Sequence, residues 1–208
     1  TMQAEYTKLF HKKCYTLYTS AEGKELVLNE EATQISYIGN LGFDRYKQLI
    51  NLGNALNKIG EHVDIYSAEK RPEVLSKLEQ ATGIVFHGAI SSEEVLKVME
   101  NSVAVIHTES FDLKIQEKIR FSVSTKIAES LMYGPCLIAY GPEGIASIDY
   151  LKENNAAYVI TQPEDLESGL TEILTNREMR EQIVKNARVL AVKNHNAEVN
   201  PKKVRRWL

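Results

Sequence analysis

Lys126 and Glu129 stand three residues apart in the run STKIAESLMYGPCLIAYGPEG, residues 124–144. On a helix starting near Ser124, this spacing puts Lys126, Glu129, Ser130 and Tyr133 on one face. Ile127, Ala128, Leu131 and Met132 then fall on the core side. Free backbone N–H groups at a helix start carry partial positive charge and suit a phosphate. A lysine in the first turn opposes that dipole, and an anionic ligand would resolve the conflict. Glu129, one turn deeper, can accept hydrogen bonds from sugar hydroxyls. The competing reading is an exposed ion pair worth roughly 0.3 kcal/mol. The residues alone leave both readings open.

Two more stretches have the composition of ligand loops. In YIGNLGFDR, residues 37–45, Gly39, Asn40 and Gly42 follow one expected strand and precede a helix. Bare backbone there can approach a ligand closely, and Arg45 near the helix start can reach an anion. The plainer alternative is a strand-to-helix turn with an exposed arginine. The spacing is not GxGxxG, no acidic residue closes the next strand for a ribose, and no GxxxxGK[ST] occurs. In IVFHGAISSEE, residues 84–94, His87 and Gly88 fall at the carboxyl end of a strand, where open α/β sheets place ligands. The backbone of Gly88, Ala89 and Ile90 can read a base edge, while His87 is equally open to a structural role. Residues 108–123 read as a long irregular loop. Glu109, Arg120 and Ser122 are its candidate contacts, and Asp112, Lys114, Glu117 and Lys118 form a solvated charge run.

The elements that must hold these loops alternate. Strands are expected at 34–38, 62–66, 84–87, 103–107, 136–140 and 157–160, with helices at 46–59, 72–81, 92–100, 124–133, 145–154, 164–174 and 177–193. SVAVIH and CLIAY are apolar at consecutive positions, as strands covered on both faces are. Such strands alternating with helices predict an α/β fold with a doubly wound parallel sheet. Ser91 and Glu94 form a capping box, and Gly134-Pro135 ends the helix that begins near Ser124. Residues 1–33 read as a lead-in or linker, 34–176 as the compact domain and 177–208 as carboxyl-terminal helices.

Composition narrows the partners. The 208 residues are 43% apolar and 25% charged, and 25 basic against 28 acidic side chains give a net charge of −3. That balance argues against general nucleic-acid binding, which neutralises many phosphates. Cys14 and Cys136 lack paired spacing, which fits reduced thiols in the cytoplasm. No apolar run reaches membrane-spanning length. The opening Thr1-Met2-Gln3-Ala4-Glu5 has no signal-peptide core and fits a piece of a longer chain. The sequence has no Asp-x-Asp metal motif, which agrees with a metal-free site, and no cofactor is expected.

Taken together, YIGNLGFDR, VFHGAISSEEV, VAVIHTES and FSVSTKIAESLMYGPCLIAYGPEG resemble the carboxyl-terminal, donor-binding half of a retaining GT-B glycosyltransferase of family 4 type. The likeness runs from Tyr37 to Gly144, continues more weakly through ENNAAYVI, and is greatest to the branch serving polysaccharide assembly. It implies a Rossmann-like doubly wound parallel sheet of about six strands, one half of a GT-B enzyme. The donor would be a nucleotide sugar. The acceptor, a glycan or a lipid-linked molecule, would sit on an absent amino-terminal domain joined through residues 1–33. By the resemblance, Arg45, six positions after Gly39, clasps the diphosphate. Lys126 and the N–H groups of Ser124 and Thr125 complete the clamp. Arg45 and Lys126 would stabilise the leaving group, Glu129 would bind the ribose, and Gly88, Ala89 and Ile90 the base. Two positions depart from the pattern: Asn40 stands where the family has an arginine, and Phe121 where it has a second glutamate. The tail NPKKVRRWL is open to three readings: packing on the absent domain, contact with an anionic membrane at its cytoplasmic face, or a helix with a basic face. Two rival functions remain, a non-catalytic nucleotide-binding regulatory α/β module and one half of a sugar-nucleotide epimerase.

Overall fold

A computed structural model describes residues 2–22 and 28–207, without the side chains of Lys203, Arg206 and Trp207. The strands are β1 (Gln34–Ile38), β2 (Val63–Tyr66), β3 (Ile84–Gly88), β4 (Ser102–Thr108), β5 (Cys136–Tyr140) and β6 (Tyr158–Ile160). They form one parallel sheet in the order β3-β2-β1-β4-β5-β6. The chain thus works outward from β1 to β3, returns to the centre, and works outward again through β6. The reversal between β1 and β4 is the place where such sheets open a ligand crevice beyond the strands' carboxyl ends.

The helices are α1 (Met2–Phe10), α2 (Arg45–Lys58), α3 (Pro72–Glu79), α4 (Ser92–Glu100), α5 (Leu113–Ile119), α6 (Lys126–Tyr133), α7 (Ala146–Glu153), α8 (Leu166–Thr175), α9 (Arg177–Asn194) and α10 (Val199–Trp207). Period-two alternation divides the core. Cys136, Ile138 and Tyr140 of β5 join Ile35, Leu49, Leu52, Ile65 and Leu170 on one side of the sheet. Leu137 and Ala139 join Val105, Ile127, Leu131, Ile148 and Leu190 on the other. β5 is buried at every position, as its unbroken apolar run requires.

Three differences from the sequence reading have local causes. The stretch expected to be an irregular loop contains α5, because the Asp112 side chain accepts from the N–H groups of Lys114 and Ile115 at 2.9 and 3.1 Å. α6 starts at Lys126 instead of Ser124, and the Ser124 N–H donates to Ser147 Oγ at 3.3 Å. The lead-in also has structure. α1 buries no residue, but Tyr18 stacks on Tyr150 at 4.7 Å and the Ala21 N–H donates to the His195 carbonyl at 2.8 Å. At the far end, Arg188 of α9 donates to the carbonyls of Leu131 and Gly134 at 2.8 and 2.7 Å, satisfying the last turn of α6. The tail is helical in α10; the basic face expected there includes Lys203 and Arg206, whose side chains lie outside the described residues. No helix among the described residues is long and apolar enough to cross a membrane.

Candidate functional site

A cleft of about 890 Å³ opens beyond the carboxyl ends of β1, β2 and β3. Its walls include Gly39, Asn40 and Gly42 from the β1–α2 loop, Ala89 and Ile90 from the β3–α4 turn, and Lys126 from the start of α6. The volume lies within the range of about 300–1,000 Å³ usual for small-molecule sites.

The β1–α2 loop is braced from within. Tyr37 Oη donates to the Asn40 carbonyl at 2.6 Å, and the Gly39 N–H donates to the Tyr66 carbonyl at 3.0 Å. Asn40 Oδ1 accepts from the Gly42 N–H, so this side chain serves its own turn. A Cβ on Gly42 would stand 2.7 Å from that oxygen, so a side chain there would push Asn40 off this bond. The loop then passes through Phe43 and Asp44, both left-handed with φ of 54° and 57°, a conformation that non-glycine residues rarely adopt.

The β3–α4 turn is braced by its cap. Ser91 Oγ accepts from the Glu94 N–H at 3.2 Å, and the Glu94 carboxylate accepts from the Ser91 N–H at 2.7 Å. Gly88 sits at φ +79°, and its carbonyl accepts from the Ser67 N–H at 2.8 Å, tying this turn to the end of β2.

Several expected site residues are placed elsewhere. Arg45 grips Glu109: its Nη2 lies 2.9 and 3.1 Å from the two carboxylate oxygens, and its Nε donates to the Thr108 carbonyl at 3.1 Å. Glu109 is 2% exposed, with His107 Nε2 3.4 Å away on its other side. Burial pushes the Glu109 carboxyl up. The neighbouring His107 ring and the Arg45 guanidinium outweigh that and hold it below the ordinary carboxylate range. Arg45 is therefore a neutralised partner outside the lining of the cleft. His87 bonds Asp64 and stacks on Tyr66 at 4.7 Å, likewise outside it. Gly88, Ser124, Thr125 and Glu129 flank the lining without joining it, and the Ser124 N–H is already engaged with Ser147. Glu129 pairs with Lys126 at 3.0 Å. Arg120 lies against the Phe121 ring at 4.3 Å, and the Ser122 carbonyl accepts from Ser147 Oγ at 2.9 Å, so neither lines the cleft.

Sequence reasoning missed the β2–α3 loop. Residues 67–72 form one wall and bring Glu69, Lys70 and Arg71 to the cleft. Arg71 forks Glu69 at 2.9 and 2.6 Å, and Glu69 Oε1 also accepts from the N–H groups of Lys70 and Arg71 at 2.9 Å each. The Arg71 fork lowers the Glu69 carboxyl to about 2. The signal was two adjacent cations at the carboxyl end of a strand, before Pro72. Among the described residues, no group of three or more His, Cys, Asp or Glu is arranged to hold a metal ion.

The strand order and the cleft define an α/β domain of the kind found as the carboxyl-terminal half of GT-B glycosyltransferases. The chain belongs to the glycosyl transferase-like family, whose model matches residues 45–204. Among solved structures it is similar to WaaG, a glycosyltransferase involved in lipopolysaccharide biosynthesis (15% identity, 97% of this chain, 49% of that one, TM-score 0.61). It is also similar to Anabaena Alr3699/HepE in complex with UDP-glucose (12% identity, 85% of this chain, 48% of that one, TM-score 0.66). A third similar structure is the carboxyl-terminal domain of the group 1 glycosyl transferase LpcC of Francisella tularensis (15% identity, 87% of this chain, 97% of that one, TM-score 0.56). The chain spans about half the length of WaaG and HepE. No curated protein matches the sequence.

Proposed function

We propose that this domain binds a nucleotide-sugar donor in the cleft and serves a retaining glycosyltransferase of family 4 type. The reaction moves the sugar to a glycan or lipid-linked acceptor presented by a second domain of the same protein. The observation that carries the reading is the convergence of Lys126, the glycine loop of β1–α2 and the Ala89–Ile90 turn on one cleft. The crystallised UDP-glucose complex of a similar fold supports it and makes a UDP-sugar the first donor to test.

In the chemistry, the bond from the anomeric carbon to the diphosphate breaks as a bond from that carbon to an acceptor hydroxyl oxygen forms, and the hydroxyl proton passes to the departing diphosphate. Negative charge builds on the departing diphosphate. Lys126, which lines the cleft, meets that charge in this reading, and a preorganised donor of this kind contributes about 3 kcal/mol to the transition state. Glu129 takes the ribose hydroxyls once Lys126 turns from it to the phosphate, and the backbone at Gly88, Ala89 and Ile90 takes the base. Arg45 positions the loop through Glu109. Polysaccharide assembly at the cytoplasmic face of a membrane is the setting this reading favours, with no metal or organic cofactor in the step.

A thermal-shift series with UDP-, GDP-, ADP- and dTDP-sugars tests the reading, since a ligand that binds only the folded state raises the unfolding temperature. One of the four is expected to stabilise the chain in a concentration-dependent way. Silence from all four would shift the assignment to a regulatory module that binds no nucleotide sugar.

A further inference from the structure

We propose that Arg71 is the second cation of the diphosphate grip, held in position by Glu69 until the ligand arrives. The inference rests on the cleft being the donor site and adds a residue from a loop that lies between the motifs carrying the sequence resemblance.

Three observations lead to it. The two positions that would supply an arginine or its equivalent from the first loop are spent. Asn40 is uncharged and accepts from its own loop at the Gly42 N–H, while Arg45 is neutralised by a carboxylate that is 2% exposed. Arg71, in contrast, lines the cleft together with Lys126. Its Nη2 lies 3.5 Å from the Leu41 carbonyl, so the guanidinium sits against the glycine loop whose missing arginine it would replace.

The Glu69 contact also has the geometry of a stand-in. Two nitrogens of Arg71 face two carboxylate oxygens, the same fork a guanidinium offers to two phosphate oxygens. The Arg71 side chain is 47% exposed while Glu69 is 9% exposed, so the guanidinium is open to a ligand from the solvent side and the carboxylate lies behind it. Glu69 keeps its backbone bonds from Lys70 and Arg71 when the side chain of Arg71 leaves, which preserves the loop. Lys70 on the same wall adds positive field without a fork.

The test compares the chain with Arg71→Ala and Arg71→Lys by calorimetric titration of UDP, GDP, ADP and dTDP and of the four parent nucleosides. Loss of a charged hydrogen-bonded contact is expected to weaken diphosphate binding by about tenfold or more in Arg71→Ala, with Arg71→Lys intermediate. Nucleoside affinity should change by less than about twofold, since the lost contact is to phosphate. Unchanged diphosphate affinity in Arg71→Ala, beside a wild-type chain that binds, would overturn this inference and leave the donor site standing. Equal weakening toward nucleosides would also overturn it, by moving Arg71 to the base. A wild-type chain that binds none of the eight would remove the donor site and this inference together.

Discussion

Arg45 and Glu109 clasp each other across the point where the strand order reverses. The arginine opens α2 just beyond β1, and the glutamate follows the last residue of β4. The pair joins the two halves of the sheet at their carboxyl edge, beside the cleft but not in its lining. Removing one member would leave the other as a largely buried, unmatched charge. This makes the clasp a structural element whose loss is felt more than its presence.

Glu109→Gln should therefore destabilise the fold by roughly 3 kcal/mol, the cost of breaking a buried pair. Its pH dependence follows from the lowered carboxyl. The folded-state value lies below the ordinary 4.5, so the contribution is fully present above 4.5 and disappears as pH falls through the lower value. Urea unfolding midpoints from pH 7 downward should show an acid loss in the wild type that is smaller in the variant. Identical acid profiles for both chains would mean that Glu109 is not the group responsible.

Lys126→Ala should separate binding from stability. The lysine is half exposed and pairs with a Glu129 that is 36% exposed, so the pair contributes about 0–1 kcal/mol to folding. Its contact with an anionic ligand is expected to be worth more, and sugar-nucleotide affinity should fall about tenfold. Calorimetry would read the affinity and thermal unfolding the stability. An unchanged dissociation constant would exclude Lys126 from the donor contact.

The two thiols should react differently. Cys136 is buried on β5 and burial pushes its thiol up to about 12, so it is protonated at pH 8. Cys14 is partly accessible in the lead-in. A chromogenic disulfide reagent is expected to label Cys14 in the native chain and to reach Cys136 only in denaturant. Rapid native labelling of both would show that the β5 layer opens far more readily than its packing implies.

What the sequence made legible follows the range of the interactions. β5 could be read to the residue because its burial on both faces leaves an unbroken apolar run, and β1 because Ile35, Tyr37 and Ile38 lie between the turn residues on either side. The capping box at Ser91 and Glu94 is local and was readable for the same reason. α5 escaped because only Ile119 of it is buried and Leu113 is 75% exposed, so its apolar period is a single pair, Ile115 and Ile119; Asp112 was its other visible signal. The partner of Arg45 was hidden because Glu109 lies 64 residues along the chain, and only the order of β1 and β4 brings them together. Arg71 was overlooked for a related reason. Its loop joins the cleft because β2 lies beside β1, a neighbour relation that no local pattern states.

Two glycines with left-handed backbones should respond unequally to alanine. Gly83 at φ +66° would place a Cβ 2.1 Å from the Gly53 carbonyl oxygen, where α2 meets the turn before β3. That contact is with backbone and can be relieved only by moving α2 away from the sheet. Overpacking of this kind adds to the cost of the left-handed conformation, and at least about 3 kcal/mol should be lost. Gly88 at φ +79° would place a Cβ in open space, so conformational strain alone applies, about 1–2 kcal/mol. Because the Gly88 turn carries Ala89 and Ile90 into the cleft, Gly88→Ala should also weaken donor binding, which Gly83→Ala has no direct route to do if it folds. Denaturant unfolding read beside nucleotide titration distinguishes the two effects. Equal stability losses at both positions would show that the close approach of α2 at Gly53 is absent in solution.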